Sequence, residues 1–507
     1  MRLRSLGYLV LLFGVTGCMV GPDYKQPAPA SVPPAFKELA GWTPSQPADM
    51  LDKGAWWSIY NDPDLDRLEV MVDVSNQNVK MFEAQYRNAV ALVAEARAGL
   101  FPTIALNGSV QRSGGGGRGG SGFENASSSS SGGAATTSVG GFGGGGGGGN
   151  TTQWSLAGSA SWDVDVWGRI RRQVESNVAG AQVSAADLAN ARLSAQATLA
   201  TDYFDLRAED ALTQLLTDTV AAFQRALDIT KNQYHAGTSS SIDYVTALAQ
   251  LQTTQAQLVA VGIQRAQFEH AIAMLTGHAP AELSLAPGRL ASAVPVVPAG
   301  LPSTLLQRRP DIAAAERTMQ QDNALIGVQV AAYYPDISLS ALGEYAGSPL
   351  GQLFNASNQI WSLAASGSET LFDAGLRHAN VAAARATYDA AVASYRQTVL
   401  TAFQGVEDQL SNLRILALQA KAEDLAVNAS KRAVTATMNA YLAGTDAYTS
   451  VITEQTQLLG DQQTAVGVQQ SRLVASVALV QALGGGWTTQ DLPQGAEIKK
   501  AFNPLVP

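Results

Sequence analysis

The sequence predicts a mixed α+β chain with an internal duplication, whose four strands belong to a membrane β-barrel closed by oligomerisation, twelve strands from three copies. Three observations predict this. The same landmarks occur twice in the same order. Each copy holds two segments of about ten residues that alternate apolar with small or polar residues, the pattern of a strand with two unlike faces. Each copy then carries long proline-free runs rich in Ala, Gln, Leu and Ser.

The repeat is read from residues that are unlikely to align by chance. Tyr234-His235-Ala236-Gly237-Thr238 returns 207 residues later as Tyr441-Leu442-Ala443-Gly444-Thr445. The same offset carries Trp154-Ser155-Leu156-Ala157 onto Trp361-Ser362-Leu363-Ala364, Arg265 onto Arg472 and Gly277 onto Gly484. Upstream, Leu100-Phe101-Pro102-Thr103-Ile104 matches Tyr333-Tyr334-Pro335-Asp336-Ile337 at a larger offset, because the first copy holds an insertion. Ala-rich helices alone would not also align Pro, Trp and Gly, so two copies of one unit are expected. They span 64–277 and 310–484.

Each copy reads as helix, strand, loop, strand, long helix, turn, helix. The first helix runs from Asp64 to about Leu100 and stops at Pro102, since proline holds its predecessor in extended conformations. In the strands that follow, Ile104, Leu106 and Val110 alternate with Ala105, Asn107 and Ser109, and Trp154, Leu156, Ala160 and Trp162 with Gln153, Ser155, Ser159 and Ser161. The second copy repeats this with Ile337, Leu339, Ala341 and Tyr345, then Trp361, Leu363 and Ala365. Aromatic residues near the strand ends suit an interfacial girdle. The long helical runs are Gly168–Tyr234 and Gly375–Tyr441, each about 100 Å at 1.5 Å per residue, allowing for breaks. Shorter helices return from Ser240 to Thr276 and from Ala447 to Leu483. Between Arg112 and Asn150 the chain is almost entirely Gly and Ser and is expected to form an outward-facing loop. A Pro-rich connector, 278–309, joins the copies, and 485–507 is a tail.

Four strands cannot close a barrel. An open edge in lipid leaves backbone groups unpaired at several kcal/mol each, and the smallest spanning barrels have eight strands. The chain must therefore associate with itself. No segment reads as a transmembrane helix, so strands must carry any passage through a bilayer.

Composition excludes several functions. With 33 Lys+Arg against 42 Asp+Glu, a net charge of −9 and only 15% charged residues, nucleic acid is not a partner. A single cysteine excludes an internal disulfide and cysteine-cluster metal sites. His235, His270, His278 and His378 show no metal-ligand spacing, and no nucleophile motif is present. Asp163 and Asp165 lack the downstream glutamate of a calcium loop. Neither an enzyme nor a metal or other cofactor is expected. At the amino terminus, Arg2 and Arg4 precede an apolar run, Leu6–Phe13, of signal-peptide length. Val15-Thr16-Gly17-Cys18 resembles a bacterial lipobox, so residues 1–17 are expected to be cleaved and Cys18 to carry covalent lipid, palmitate included. The mature charge becomes −11. Met19 after the cysteine implies sorting to the outer membrane by the same resemblance.

Cys18-Met19-Val20-Gly21-Pro22-Asp23-Tyr24, Trp56-Trp57 with Asp62-Pro63-Asp64-Leu65, Ser161-Trp162-Asp163-Val164-Asp165-Val166-Trp167-Gly168-Arg169 and Leu275-Thr276-Gly277 together resemble the lipoprotein branch of the TolC-like outer-membrane efflux proteins. Arg308-Arg309-Pro310-Asp311-Ile312, through Ala324-Leu325-Ile326-Gly327 to Tyr334-Pro335, is the most specific block. Phe372-Asp373-Ala374-Gly375-Leu376-Arg377 resembles the second-copy counterpart of the Asp165, Gly168 and Arg169 turn. The resemblance implies a homotrimer in the bacterial outer membrane whose β-barrel is continued by a periplasmic α-helical barrel. It implies a passive exit duct for small toxic compounds, served by a periplasmic adaptor and an inner-membrane pump, typically of the resistance–nodulation–division type. Ducts for protein or polysaccharide secretion share the pattern. A pore-free coiled-coil scaffold would leave the strands unexplained. The connector would lie in a belt around the helices.

The resemblance further places a periplasmic gate at the turns Tyr234–Asp243 and Tyr441–Thr453. Asp243 matches an acidic gate position and Tyr441 a tyrosine. A basic gate position falls on Asp446, and acidic ring positions fall on Ser450 and Thr453. With Glu454, the acids Asp243 and Asp446 would be tripled by three-fold symmetry and could set selectivity; the alternative for both is helix capping.

Overall fold

The computed structural model describes residues 19–29, 32–39, 55–113, 151–297 and 302–500. The signal segment, Cys18, residues 114–150 of the Gly/Ser tract and residues 501–507 lie outside these. The chain divides into two compact units.

One unit holds Arg97–Arg171 and Val330–Arg377 with the segment ending at Val20. Its strands are β1 (Thr103–Ser113), β2 (Thr151–Asp163), β3 (Asp336–Gly347) and β4 (Gln359–Ser368), an antiparallel sheet in the order β1-β2-β3-β4. The predicted tract began at Arg112, but Arg112 and Ser113 extend β1 opposite Thr152 and Thr151. Register follows the apolar pattern, since a slip of one residue would invert every side chain. Ile104 faces Ala160, Val110 faces Trp154, Trp162 faces Leu339, Ala341 faces Leu363. The apolar residues named for each strand therefore share one face. Serines line the other, where Ser109 and Ser155, and Ser338 and Ser366, hydrogen-bond at 2.8 Å. β1 and β4 are the edges, exposed along their whole length.

The second unit holds Gly21–Ala96, Arg172–Gln329 and the chain from His378 onward. The helices of the chain are α1 (Pro63–Ser75), α2 (Gln77–Ala98), α3 (Arg169–His235), α4 (Ser241–Leu275), α5 (Pro302–Arg308), α6 (Pro310–Ala331), α7 (Leu376–Leu442), α8 (Tyr448–Ala482) and α9 (Gly495–Lys500). Duplication is written into their bounds. α3 and α7 are 67 residues each, α4 and α8 are 35 each, and both ends of each pair lie 207 residues apart. α2 and α6 are 22 residues each. No break interrupts either 67-residue helix, so each spans about 100 Å. Among the described residues no helix is long and apolar enough to cross a membrane.

The single helix expected from Asp64 to Leu100 is two. Asn76 separates α1 from α2 at ψ 124°. Its side-chain oxygen accepts the amides of Asn78 and Val79 at 2.9 and 3.1 Å, while its amide donates to the Leu275 carbonyl at 2.8 Å. One asparagine thus ends α1, caps α2 and ties both to the end of α4. The predicted connector likewise ends in a helix, α5, which stops before Pro310 opens α6.

The main core packs Trp56, Leu65, Leu68 and Val72 against Leu199, Tyr203, Phe204 and Leu206 of α3, Val399 and Val406 of α7, and Leu473 and Val477 of α8. A buried charge network fastens the connector to this core. Asp210, with a side chain 2% exposed, pairs with Arg207 at 3.0 Å and Arg265 at 2.7 Å and accepts the Gly288 amide at 2.8 Å. Arg265 and Arg207 in turn donate to the carbonyls of Leu285 and Ala286 at 2.7 Å.

Candidate functional site

Two places carry the predicted site residues: the helical turns of the second unit and the strand-to-helix junctions of the first.

In the first helical turn, Gly237 takes φ 72°, in the left-handed region that glycine reaches without penalty. Thr238 N–H reaches back to the Gln233 carbonyl at 2.9 Å. Ser240 then caps α4 through the Ile242 amide. The second turn repeats this with Gly444 at φ 73° and Thr445 bonded to the Ala440 carbonyl at 3.0 Å. Its cap differs: Ala447 has no side-chain acceptor, and the neighbouring Asp446 accepts the Ala447 amide at 2.7 Å and the Ser450 hydroxyl at 2.9 Å. Both carboxylates therefore touch their own turns, and Asp243 accepts from Ser239 at 2.7 Å.

The two turns meet. Tyr441 donates its hydroxyl to the Gln233 side chain at 2.5 Å and packs on Tyr448 at 5.1 Å, above a small core of Phe223, Leu227, Leu251 and Val451. Burial raises the Tyr441 and Tyr448 hydroxyl pKa values, Tyr448 to about 12, and the Asp243 carboxylate adds to both shifts. Tyr234, the repeat counterpart of Tyr441, is placed otherwise: it stacks on Tyr244 at 6.1 Å. Thr453 is exposed and bonded to the Thr449 carbonyl, and Glu454 is half-buried on the same helix. Gln233, Tyr244 and Tyr448 escaped the sequence reading, because each acts through the other turn or through a ring stack that linear spacing does not encode.

At the junctions, an aspartate turns a strand into a helix. Asp165 accepts the Ile170 and Arg171 amides at 3.0 Å each and pairs with the Arg171 guanidinium at 3.1 Å. It thereby places a carboxylate on the positive end of α3. Asp373 does the same for α7, accepting from the Gly375 and Arg377 amides and pairing with Arg377 at 2.7 Å. The Arg377 hydrogen bond holds the Asp373 carboxyl below the usual range. Gly168 and Gly375 take φ 82° and 91°. Arg169 lies in the turn but does not clasp Asp165. Its ion pair is with Asp336, at 3.8 Å and exposed, and Arg171 takes the clasping role because two more residues of helix bring its side chain back over the first turn. Among the described residues no group of His, Cys, Asp and Glu could hold a metal.

This geometry has relatives. The family model for outer membrane efflux proteins matches residues 71–278 and 301–485. The chain belongs to the outer membrane efflux protein family. It is 30% identical over 494 residues to the solvent efflux pump outer membrane protein SrpC of Pseudomonas putida, covering 96% of this chain and 99% of SrpC. It is 28% identical over 495 residues to the toluene efflux pump outer membrane protein TtgC of the same species, covering 96% of each. Among solved structures, the outer-membrane channel OprN superposes with a TM-score of 0.81 at 27% identity, over 93% of this chain and all of OprN. The four-stranded sheet and paired long helices are thus the fold of an outer-membrane efflux channel.

Proposed function

We propose that the protein is the outer-membrane exit duct of a tripartite efflux system, a homotrimer held by lipid on Cys18. In this reading three copies join β4 of one sheet to β1 of the next, giving twelve strands with the apolar face toward outer-membrane lipid and the serine face toward water. A periplasmic adaptor and an inner-membrane pump, of the resistance–nodulation–division type, deliver the cargo and the energy, and the tube itself is passive. The observation that carries the reading is the sheet register: all four strands present most of their apolar residues on one face, Leu342 and Ile360 being the exceptions, while β1 and β4 each have one neighbour in the sheet. Such a sheet is stable in lipid only when its edges are joined.

Small apolar toxicants are the cargo class this reading favours, supported by the solvent and toluene efflux named for two relatives. The paired turns act as the resting constriction, with the Tyr441–Gln233 hydrogen bond joining the two copies of the motif. A deletion strain should become more susceptible to organic solvents and hydrophobic antibiotics, and the purified protein should conduct ions in planar bilayers. Unchanged susceptibility would refute the cargo, and a silent bilayer would refute the duct.

A further inference from the structure

The apolar face of the sheet is not smooth. Near the strand ends that lead into the helices, a dent of about 470 Å³ opens across β2, β3 and β4. Its floor is made of small residues at paired positions: Ala160 faces Ala341, and Ala365 faces Leu339. Its walls are Trp162, Leu339, Leu363 and Pro102. The Trp162 indole is held in place by donating to the Leu100 carbonyl at 3.0 Å. Three alanines ringed by a tryptophan, two leucines and a proline make a slot for a slender apolar group; Ser161 and Ser340 also line it, although by register their side chains belong to the opposite face. The dent reaches the edge strand β4, but pairing with a second sheet engages the backbone of that edge and leaves its apolar face uncovered.

The same unit fixes the residue that follows the sole cysteine. Met19 packs so closely on Gly168 that a Cβ there would lie 2.6 Å from the Met19 Cγ. The Val20 amide donates to the Trp167 carbonyl at 3.1 Å. Trp167 is anchored in turn by its own indole, which donates to the Pro335 carbonyl at 2.9 Å and stacks on Tyr334 at 4.8 Å. Trp167 lies five positions beyond Trp162, at most about 18 Å of extended chain. Met19, the residue after Cys18, is therefore held within reach of the dent.

We propose that this dent is the seat of an acyl chain carried by Cys18, so that the protein's own lipid packs against its own barrel wall. The inference rests on the lipidation and barrel readings above and adds a binding site to them. Burying an acyl chain is favourable because its methylenes leave water. Within a bilayer that gain is already made, so the seat serves position: it holds the amino terminus at one height on the barrel.

The test feeds cells a diazirine-bearing palmitate analogue, irradiates outer membranes containing the full-length protein, and maps crosslinked peptides by mass spectrometry. Intramolecular crosslinks between the Cys18-borne chain and residues 160–162, 339–341 or 363–365 are expected. Ala341→Phe, which fills the floor, should abolish them while leaving the label on Cys18. Label on Cys18 with crosslinks confined to free lipid, or to other parts of the chain, overturns the seat and leaves lipidation standing. Absence of label from Cys18 overturns lipidation itself and the seat with it. The unsubstituted protein decides the matter if the variant does not reach the membrane.

Discussion

Asp210 joins the two arginines of the core to the connector, and its removal leaves Arg207 and Arg265 with longer carboxylate pairs, Asp64 at 3.2 Å and Glu269 at 3.4 Å, beside their carbonyl partners. Breaking a buried ion pair from one side costs about 3–5 kcal/mol. Asp210→Ala should fall at the low end, because the carbonyl partners remain; thermal unfolding followed by circular dichroism in detergent measures it. Asp202 makes a second prediction. Burial and the neighbouring Asp205 push its carboxyl from 3.8 up to about 6. A raised acid binds its proton more tightly folded than unfolded, so stability is full below about pH 4 and is lost as pH rises through 6. Asp202 is half-buried, and solvent screening reduces the effect to about 1 kcal/mol. Asp202→Asn should therefore stabilise the protein at pH 7 to 8 and make no difference at pH 4, read from melting temperatures across that range. At this scale the sequence was informative where one residue bonds its own turn. Asp165 and Asp373 were marked by the motif resemblance, and the structure makes each a local N-terminal cap. Arg171 was not, since choosing between it and Arg169 depends on how a long side chain folds back over a helix. Nor was the split fate of Arg265 and Arg472, which align in the repeat although only Arg265 meets a buried acid; Arg472 bonds Gln469.

The long helices were legible as elements because proline is absent from them and glycine punctuates their ends: Gly237 and Gly444, Gly277 and Gly484, all at positive φ. The interruption at Asn76 was hidden, since asparagine is tolerated inside helices and its capping bonds depend on the end of α4 being close by. Duplication also concealed an asymmetry. Sequence alignment equates Tyr234 with Tyr441, yet one stacks on a ring in its own hairpin and the other bridges to the opposite turn. The bridge makes a prediction about the elements. Tyr441→Phe keeps the ring against Tyr448 and deletes one hydrogen bond, worth about 1 kcal/mol and so about a fivefold shift between closed and open populations. Single-channel recording should show a higher resting open probability with unchanged fully open conductance. Tyr234→Phe, which breaks no bond between the turns, should leave the open probability as it was; equal behaviour of the two variants would dissociate the constriction from the bridge.

For the molecule as a whole, the decisive quantity is the number of sheet edges. One chain brings four strands and two open edges, β1 and β4, and each unsatisfied backbone group in hydrocarbon costs several kcal/mol. Edge pairing between chains removes that cost, but closure alone admits either two copies or three, since eight strands already suffice for a barrel. The faces decide between them. An eight-stranded barrel has an interior just wide enough for side chains to fill, whereas the inner face here is mostly serine and alanine, too small to fill it (Ser155, Ser159, Ser161, Ser338, Ser340, Ser362 and Ser366), with Leu342 and Ile360 as larger members. Small inward residues suit a wider, water-filled barrel, which three copies supply. Native mass spectrometry of the protein extracted in mild detergent should therefore give a particle of three chains, the full sequence of each being 52.9 kDa. A two-chain particle that still conducts would refute the twelve-stranded closure, and a monomer stable in detergent would refute edge pairing as the force that assembles the duct.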